Sequence, residues 1–150
     1  MAAAAPAGAQ GGGKAKIQRP VVLEKIDDLD FGTFASSPVS GTVIIDAGSG
    51  AQTTLGGVSA LGSAVSHRAR FRARGPLLGG AIVLLGPPPV LSNGNGVVMP
   101  VAALTMNGGV IRTFDGSGNL EIGVGGVLQV GSSQAEGDYS GSFTLTIIYL

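Results

Sequence analysis

Few of the side chains that do chemistry are present, and their spacing limits what they can do. Cysteine is absent, which removes thiolate nucleophiles, disulfides and cysteine-based zinc sites together. His67 is the one histidine, with Ser66 beside it in sequence, and no spacing sets a base and an orienting acid around a nucleophile. Nine acidic residues leave room for a glycosidase-type carboxylate pair, but those near glycine turns read as solvated loop acids. Asp115, Ser117, Asn119 and Glu121 set oxygens at alternate positions, as a calcium loop does. The acidic ligands expected at its third and fifth places are missing, so the stretch reads as a turn. Asp28 and Asp30 fall on a turn entering a strand, an ordinary place for carboxylates. These residues predict a protein that is not an enzyme and holds no metal or cofactor.

The densest charge lies in Ser66–Gly75, where Arg68, Arg70, Arg72 and Arg74 alternate with Ala69, Phe71 and Ala73. A helix would scatter these arginines, whereas a strand lines all four on one face with Phe71 inward. Such a face could bind an anionic glycan or envelope polymer, or it could be a solvated outer face that protects an edge. No aromatic residue interleaves with the arginines to stack bases, and lysine plus arginine equals aspartate plus glutamate at nine each. Nucleic acid is therefore not an expected partner.

What must position these residues is a single domain of 150 residues with 27 glycines, 12% charged residues and 44% hydrophobic residues. The apolar fraction argues against disorder, and a weakly charged surface suits an assembly-prone protein. Gly75–Ile111 carries no charge, but Pro87–Pro89 and Ser92–Gly96 interrupt it, so no membrane span is expected. Residues 1–13, Ala/Gly-rich, read as a flexible head without the basic start and apolar core of a complete signal peptide.

From residue 14 the chain reads as strands. Lys14–Ile26 is a plausible strand with Ile17, Val21 and Leu23 on one face, and Pro20 makes it an edge or inserted strand. Gly41–Ala47, Ser66–Gly75, Ala81–Leu85, Val97–Met106, Val110–Phe114, Leu120–Val124 and Val127–Val130 follow, with one weak strand and a loop in 51–65. In Tyr139–Leu150 the odd positions Tyr139, Gly141, Phe143, Leu145, Ile147 and Tyr149 form an apolar face backed by hydroxyls, predicting a terminal strand in need of a long-range partner. About ten short strands without a helical period predict an all-β antiparallel sandwich.

Leu29–Gly32 after a proline-containing strand, Gly125–Gly131, and Gly137–Thr144 running on to Tyr149 resemble a Gram-negative secreted domain family of unknown function. That family is similar to the pilins of chaperone–usher fimbriae and to spore-coat type proteins, over roughly residues 15–150. Pilins place a glycine fourteenth from the C-terminus and an aromatic residue second from last, where Gly137 and Tyr149 stand here. The resemblance implies an immunoglobulin-like (pilin-like) sandwich with an N-terminal extension, completed by a donated strand. Residues 14–26 would be donor or first strand of a domain spanning 14–150, and Gly137, Tyr139, Phe143, Leu145, Ile147 and Tyr149 the assembly edge. It also implies export to the periplasm or cell surface, self-association into a homopolymer, and a periplasmic chaperone. The common pilin disulfide cannot form here.

Overall fold

The computed structural model describes residues 6–17, 21–61 and 66–150, and within these every regular element is a β-strand. They are β1 (Val22–Asp27), β2 (Phe34–Ala35), β3 (Gly41–Ile45), β4 (Gln52–Gly56), β5 (Ser59–Ala60), β6 (Ala69–Arg74), β7 (Gly80–Leu85), β8 (Val90–Ser92), β9 (Val98–Met106), β10 (Ile111–Thr113), β11 (Asn119–Val130) and β12 (Leu145–Tyr149).

All pairings are antiparallel, and β11 is the strand most of them share. Its residues 119–124 pair with β6, 126–130 with β3 and 124–128 with β9. With β1 outside β6, β4 outside β3 and β8 outside β9, these make a seven-stranded sheet. A three-stranded sheet, β10-β7-β12, covers one end of it, and β2 pairs with β5 apart from both. The two larger sheets meet face to face. Ala69, Ala73, Leu120, Ile122 and Val124 of the first pack with Ala81 and Val83 of the second, and Phe114 lies in the same core. A second core gathers Val43, Ile45, Met99, Val101, Leu128 and Val130 with Phe31 and Val58. The sequence-level expectation of an all-β antiparallel fold therefore holds, with alternation as its cause. Along β6, Ala69 and Ala73 are buried while Arg70 and Arg74 are exposed.

The structure corrects four boundaries. The stretches 120–124 and 127–130 form one continuous strand, because Gly125 does not end β11. A Cβ at Gly125 would collide with the Ile45 carbonyl, and one at Gly123 with the Ala47 carbonyl, so the glycines admit the crossing main chain leaving β3. Gly125→Ala is expected to lower the unfolding free energy by about 2–3 kcal/mol, as overpacking against backbone does. Unchanged urea unfolding would contradict that close approach. The terminal strand spans Leu145–Tyr149 only. Its first residues peel away because Ser140 pairs with Ser92, and because Gly141 runs against the Val90 carbonyl with no room for a Cβ. Only Val22–Asp27 of the N-terminal segment is a strand. It pairs with β6 of its own chain from Val22↔Arg74 to Asp27↔Arg70, whereas residues 6–17 are exposed and carry no element. Pro20, with Gln18 and Arg19, lies outside the described residues. Finally, residues 51–61 hold two strands, β4 and β5.

Two turns are fixed by carboxylates, the β3–β4 hairpin turn and the connection from β10 of one sheet to β11 of the other. Asp46 Oδ1 accepts from Gly48 N at 2.7 Å and Ser49 N at 2.8 Å, and Asp115 Oδ1 from Ser117 N at 2.8 Å and Asn119 N at 2.9 Å. The stretch 115–121 is thus an Asp-capped turn that runs into the start of β11 at Asn119. The amides of Ser49 and then Gly48 hold the Asp46 carboxyl below its usual 3.8, and those of Asn119 and then Ser117 do the same for Asp115. A lowered native pKa stabilises the fold above the unfolded value, and that contribution is lost as pH falls through the native one. An Asp46→Asn, Asp115→Asn chain should therefore lose less thermal stability than wild type between pH about 5 and about 2. Equal losses would show that the carboxylates do not carry this dependence.

Candidate functional site

Each of the two larger sheets ends in an edge strand that leads to one opening: β1, whose Lys25 and Asp27 line it, and β12, which starts two residues after the lining residue Phe143. Beside them opens a cleft of about 1060 Å³ between residues 25–36 and residues 134–143. Its floor is core: Ala69, Phe71, Met99, Val101 and Leu128 all reach it. Of these, Ala69, Met99, Val101 and Leu128 are buried.

The first wall is pinned by short-range chemistry. Asp30 and His67 exchange backbone hydrogen bonds of 2.9 and 3.0 Å, which ties the wall to the start of β6. Asp30 Oδ1 accepts from Gly32 N at 2.8 Å, and Gly32, at φ 88°, makes a turn that other residues adopt only under strain. Phe31 O accepts from Gln52 Nε2 at 2.6 Å, and the Phe31 ring turns into the core.

The second wall is organised by Gln134 and Tyr139. Gln134 Nε2 donates to Val98 O and to Tyr139 Oη, both at 3.1 Å, and the Tyr139 hydroxyl donates to Ala135 O at 2.6 Å. Ser36 Oγ donates to Gln134 O at 3.0 Å, joining the two walls at one end. Gly137, at φ 150°, has a backbone that side chains rarely adopt, with Asn93 Cβ 3.3 Å from where a Cβ would sit. At the other end Phe143 meets Phe71 edge-on, with ring centroids 6.2 Å apart.

Beyond Phe143 this wall continues into β12. Gly86 N donates to Thr144 O and Leu150 N to Gly80 O, so even-numbered residues turn their polar backbone toward β7. In an antiparallel ladder the odd-numbered ones then point the other way. The N–H and C=O of Leu145 and Ile147 therefore face an edge that no strand among the described residues covers. Their side chains turn inward against the core.

Charge is concentrated here. Five of the nine acidic residues, Asp27, Asp28, Asp30, Glu136 and Asp138, line the cleft. Arg70 Nε pairs with Asp27 and Lys25 Nζ with Asp28, each at 2.7 Å. Asp30 lies 4.0 Å from His67 Nε2, and Glu136 and Asp138 have no cationic partner among the described residues.

The arginine face is differently disposed. Arg68 donates to Ala47 O at 2.9 Å and to Gly48 O, binding the crossing between β3 and β4. Arg72 stands in register between Glu24 and Glu121 and pairs with Glu121 at 3.0 Å. With Arg70 on Asp27, Arg74 is the one arginine of the four flanked by uncharged neighbours, Val22 and Asn119.

Of the residues singled out from sequence, Gly137, Tyr139 and Phe143 line the cleft, Leu145 and Ile147 lie along β12, and Tyr149 sits at its far end. Ile17 is 98% exposed, Val21 packs at the edge of the core, and Leu23 lies on β1. The sequence reading takes Asp28 and Asp30 as turn acids and passes over Gln134, the Met99–Val101–Leu128 floor and the rim acids Asp27, Glu136 and Asp138. The signal for the rim is charge segregation: no acid precedes Glu24, while Asp27–Asp30 and Glu136–Asp138 are acid-rich. Among the described residues no three acids or histidines cluster as metal ligands, and no helix is long and apolar enough to cross a membrane.

Fold and site together define an antiparallel all-β domain left open along one seam. The chain belongs to the family described as domain of unknown function (DUF4402), whose model matches residues 21–149. Comparison with curated proteins and with solved structures finds no match to this chain.

Proposed function

We propose that this domain is a non-enzymatic structural subunit of an extracellular or surface fibre, assembled by β-strand complementation. A strand from a neighbouring subunit adds to the outer edge of β12 and lays alternate side chains into the cleft. The observation that carries this reading is the cleft itself: core side chains form its floor, and the unpaired backbone of Leu145 and Ile147 continues one wall. Strand addition supplies both needs, main-chain bonds for the edge and apolar side chains for the floor. The similarity of the Gly137–Tyr149 block to pilins supports the same reading. Export, and a periplasmic chaperone that shields the cleft before assembly, go with it.

β1 is used within its own chain, so the donor is the stretch ahead of it. Removing residues 1–17 leaves Val22–Asp27 in place and should abolish assembly without unfolding the domain. Negative-stain microscopy and light scattering decide this. Chains in the full-length sample alone are expected; chains of equal length from both proteins would overturn the donor assignment. The alternative of anionic-polymer binding on Arg68–Arg74 has less support, because carbonyl groups and carboxylates engage three of the four arginines.

A further inference from the structure

The chain is neutral in sum and polarised in arrangement. Before Glu24 its only charged side chains are Lys14, Lys16 and Arg19, all positive. The cleft carries five carboxylates against one cation, Lys25, and Asp30, Glu136 and Asp138 are left without a lysine or arginine partner among the described residues. We infer that the cleft chooses its strand by charge: it takes the basic stretch containing Lys14 and Lys16 from a second copy of this chain, and its acidic rim pairs with those two lysines. The inference rests on the strand-addition reading above and names the segment and the force that selects it.

Side-chain parity agrees. In an extended segment alternate residues face opposite ways. From residue 7 to 17 the odd positions are Ala7, Ala9, Gly11, Gly13, Ala15 and Ile17, all apolar or without a side chain, while the even positions include Gln10, Lys14 and Lys16. Turned odd-side inward, the stretch presents Ala15 and Ile17 to the apolar floor and holds both lysines at the mouth. In the single chain that stretch is spread in solvent, with Ile17 98% exposed. Its occupation of a neighbour's cleft joins two unlike surfaces, and such a contact repeats head to tail into an open chain. Complementary charge fixes which end meets which and speeds the encounter, and juxtaposed like charges oppose the wrong pairing.

Charge swapping tests this. Two full-length variants, Lys14→Glu with Lys16→Glu and Glu136→Lys with Asp138→Lys, should each need at least about tenfold more protein than wild type to assemble at low salt. Each then sets like charge against like. An equimolar mixture restores both junctions, acid donor with basic cleft and basic donor with acidic cleft, and should assemble within about threefold of wild type, with the two variants alternating. Circular dichroism and thermal unfolding of each variant check that the exposed substitutions leave the domain folded. Variants that assemble like wild type, or a mixture no better than its components, would overturn the charge inference while leaving strand addition standing. A folded wild type that stays monomeric at every concentration would overturn both.

Discussion

Phe114→Ala is expected to lower the unfolding free energy by about 3–5 kcal/mol, the range for removing a fully buried phenylalanine. A domain of this size has about 5–15 kcal/mol in all, so the variant stands near the edge of folding. Phe114 is 0% exposed and shares the core between the two sheets with Ala69, Ala73, Ala81, Val83, Leu120, Ile122 and Val124. Three of these seven are alanines, too short to move into the space the ring would leave. The backbone is held as well, since Phe114 N donates to Gly79 O at 2.8 Å and the Asp115 turn follows at once. Gly75 offers an internal control. A Cβ there would stand 2.7 Å from the Phe114 ring, so Gly75→Ala should destabilise wild type. In the Phe114→Ala background the same methyl enters the cavity and should recover part of the loss, a coupling of opposite sign that a double-mutant cycle reads by urea unfolding. Additive effects would mean that ring and glycine do not touch.

The largest effect on assembly is expected from Leu145→Pro. The Leu145 N–H points away from β7, so proline there removes no bond of the three-stranded sheet, and edge strands accept proline in that orientation. It does delete a donor that an incoming strand would use and sets a ring where that strand must approach. One lost hydrogen bond is worth about 1 kcal/mol net, and the obstruction adds to it, so assembly should weaken at least about tenfold. Leu145→Ala is the necessary comparison: it sheds the same inward side chain and keeps the N–H. Proline should impair assembly far more than alanine at similar thermal stability. Equal impairment would move the contact from the backbone edge to the side chain.

How far the sequence foretells this architecture depends on the distance over which each feature is built. Alternation is local, so the strand character of β6 and the inward turn of Phe143, Leu145 and Ile147 can be read from a few residues. The arginine row shows the limit: its one-sided placement is legible, but its neutralisation by Asp27 and Glu121 requires knowing that β1 and β11 flank β6. Gly125–Gly126 looks like a turn in one dimension and is a strand interior in three, because the reason for glycine is a carbonyl of β3 some 80 residues earlier. The cleft was least legible. Its walls lie at opposite ends of the chain and its floor comes from strands between them, so no local pattern marks it. Of its lining, Gly137, Tyr139 and Phe143 stand out in the terminal block, and the segregation of acids from the basic N-terminal stretch is the other legible sign.

The most direct measurement is amide hydrogen exchange at Leu145 and Ile147, compared between dispersed and assembled protein. These two N–H groups face solvent in the single chain, while those of Thr146 and Ile148 are bonded to β7. On assembly the exchange of Leu145 and Ile147 should slow by at least about tenfold, with Thr146 and Ile148 protected in both states. Assembly that left the Leu145 and Ile147 amides exchanging at their dispersed rate would contradict strand addition at β12.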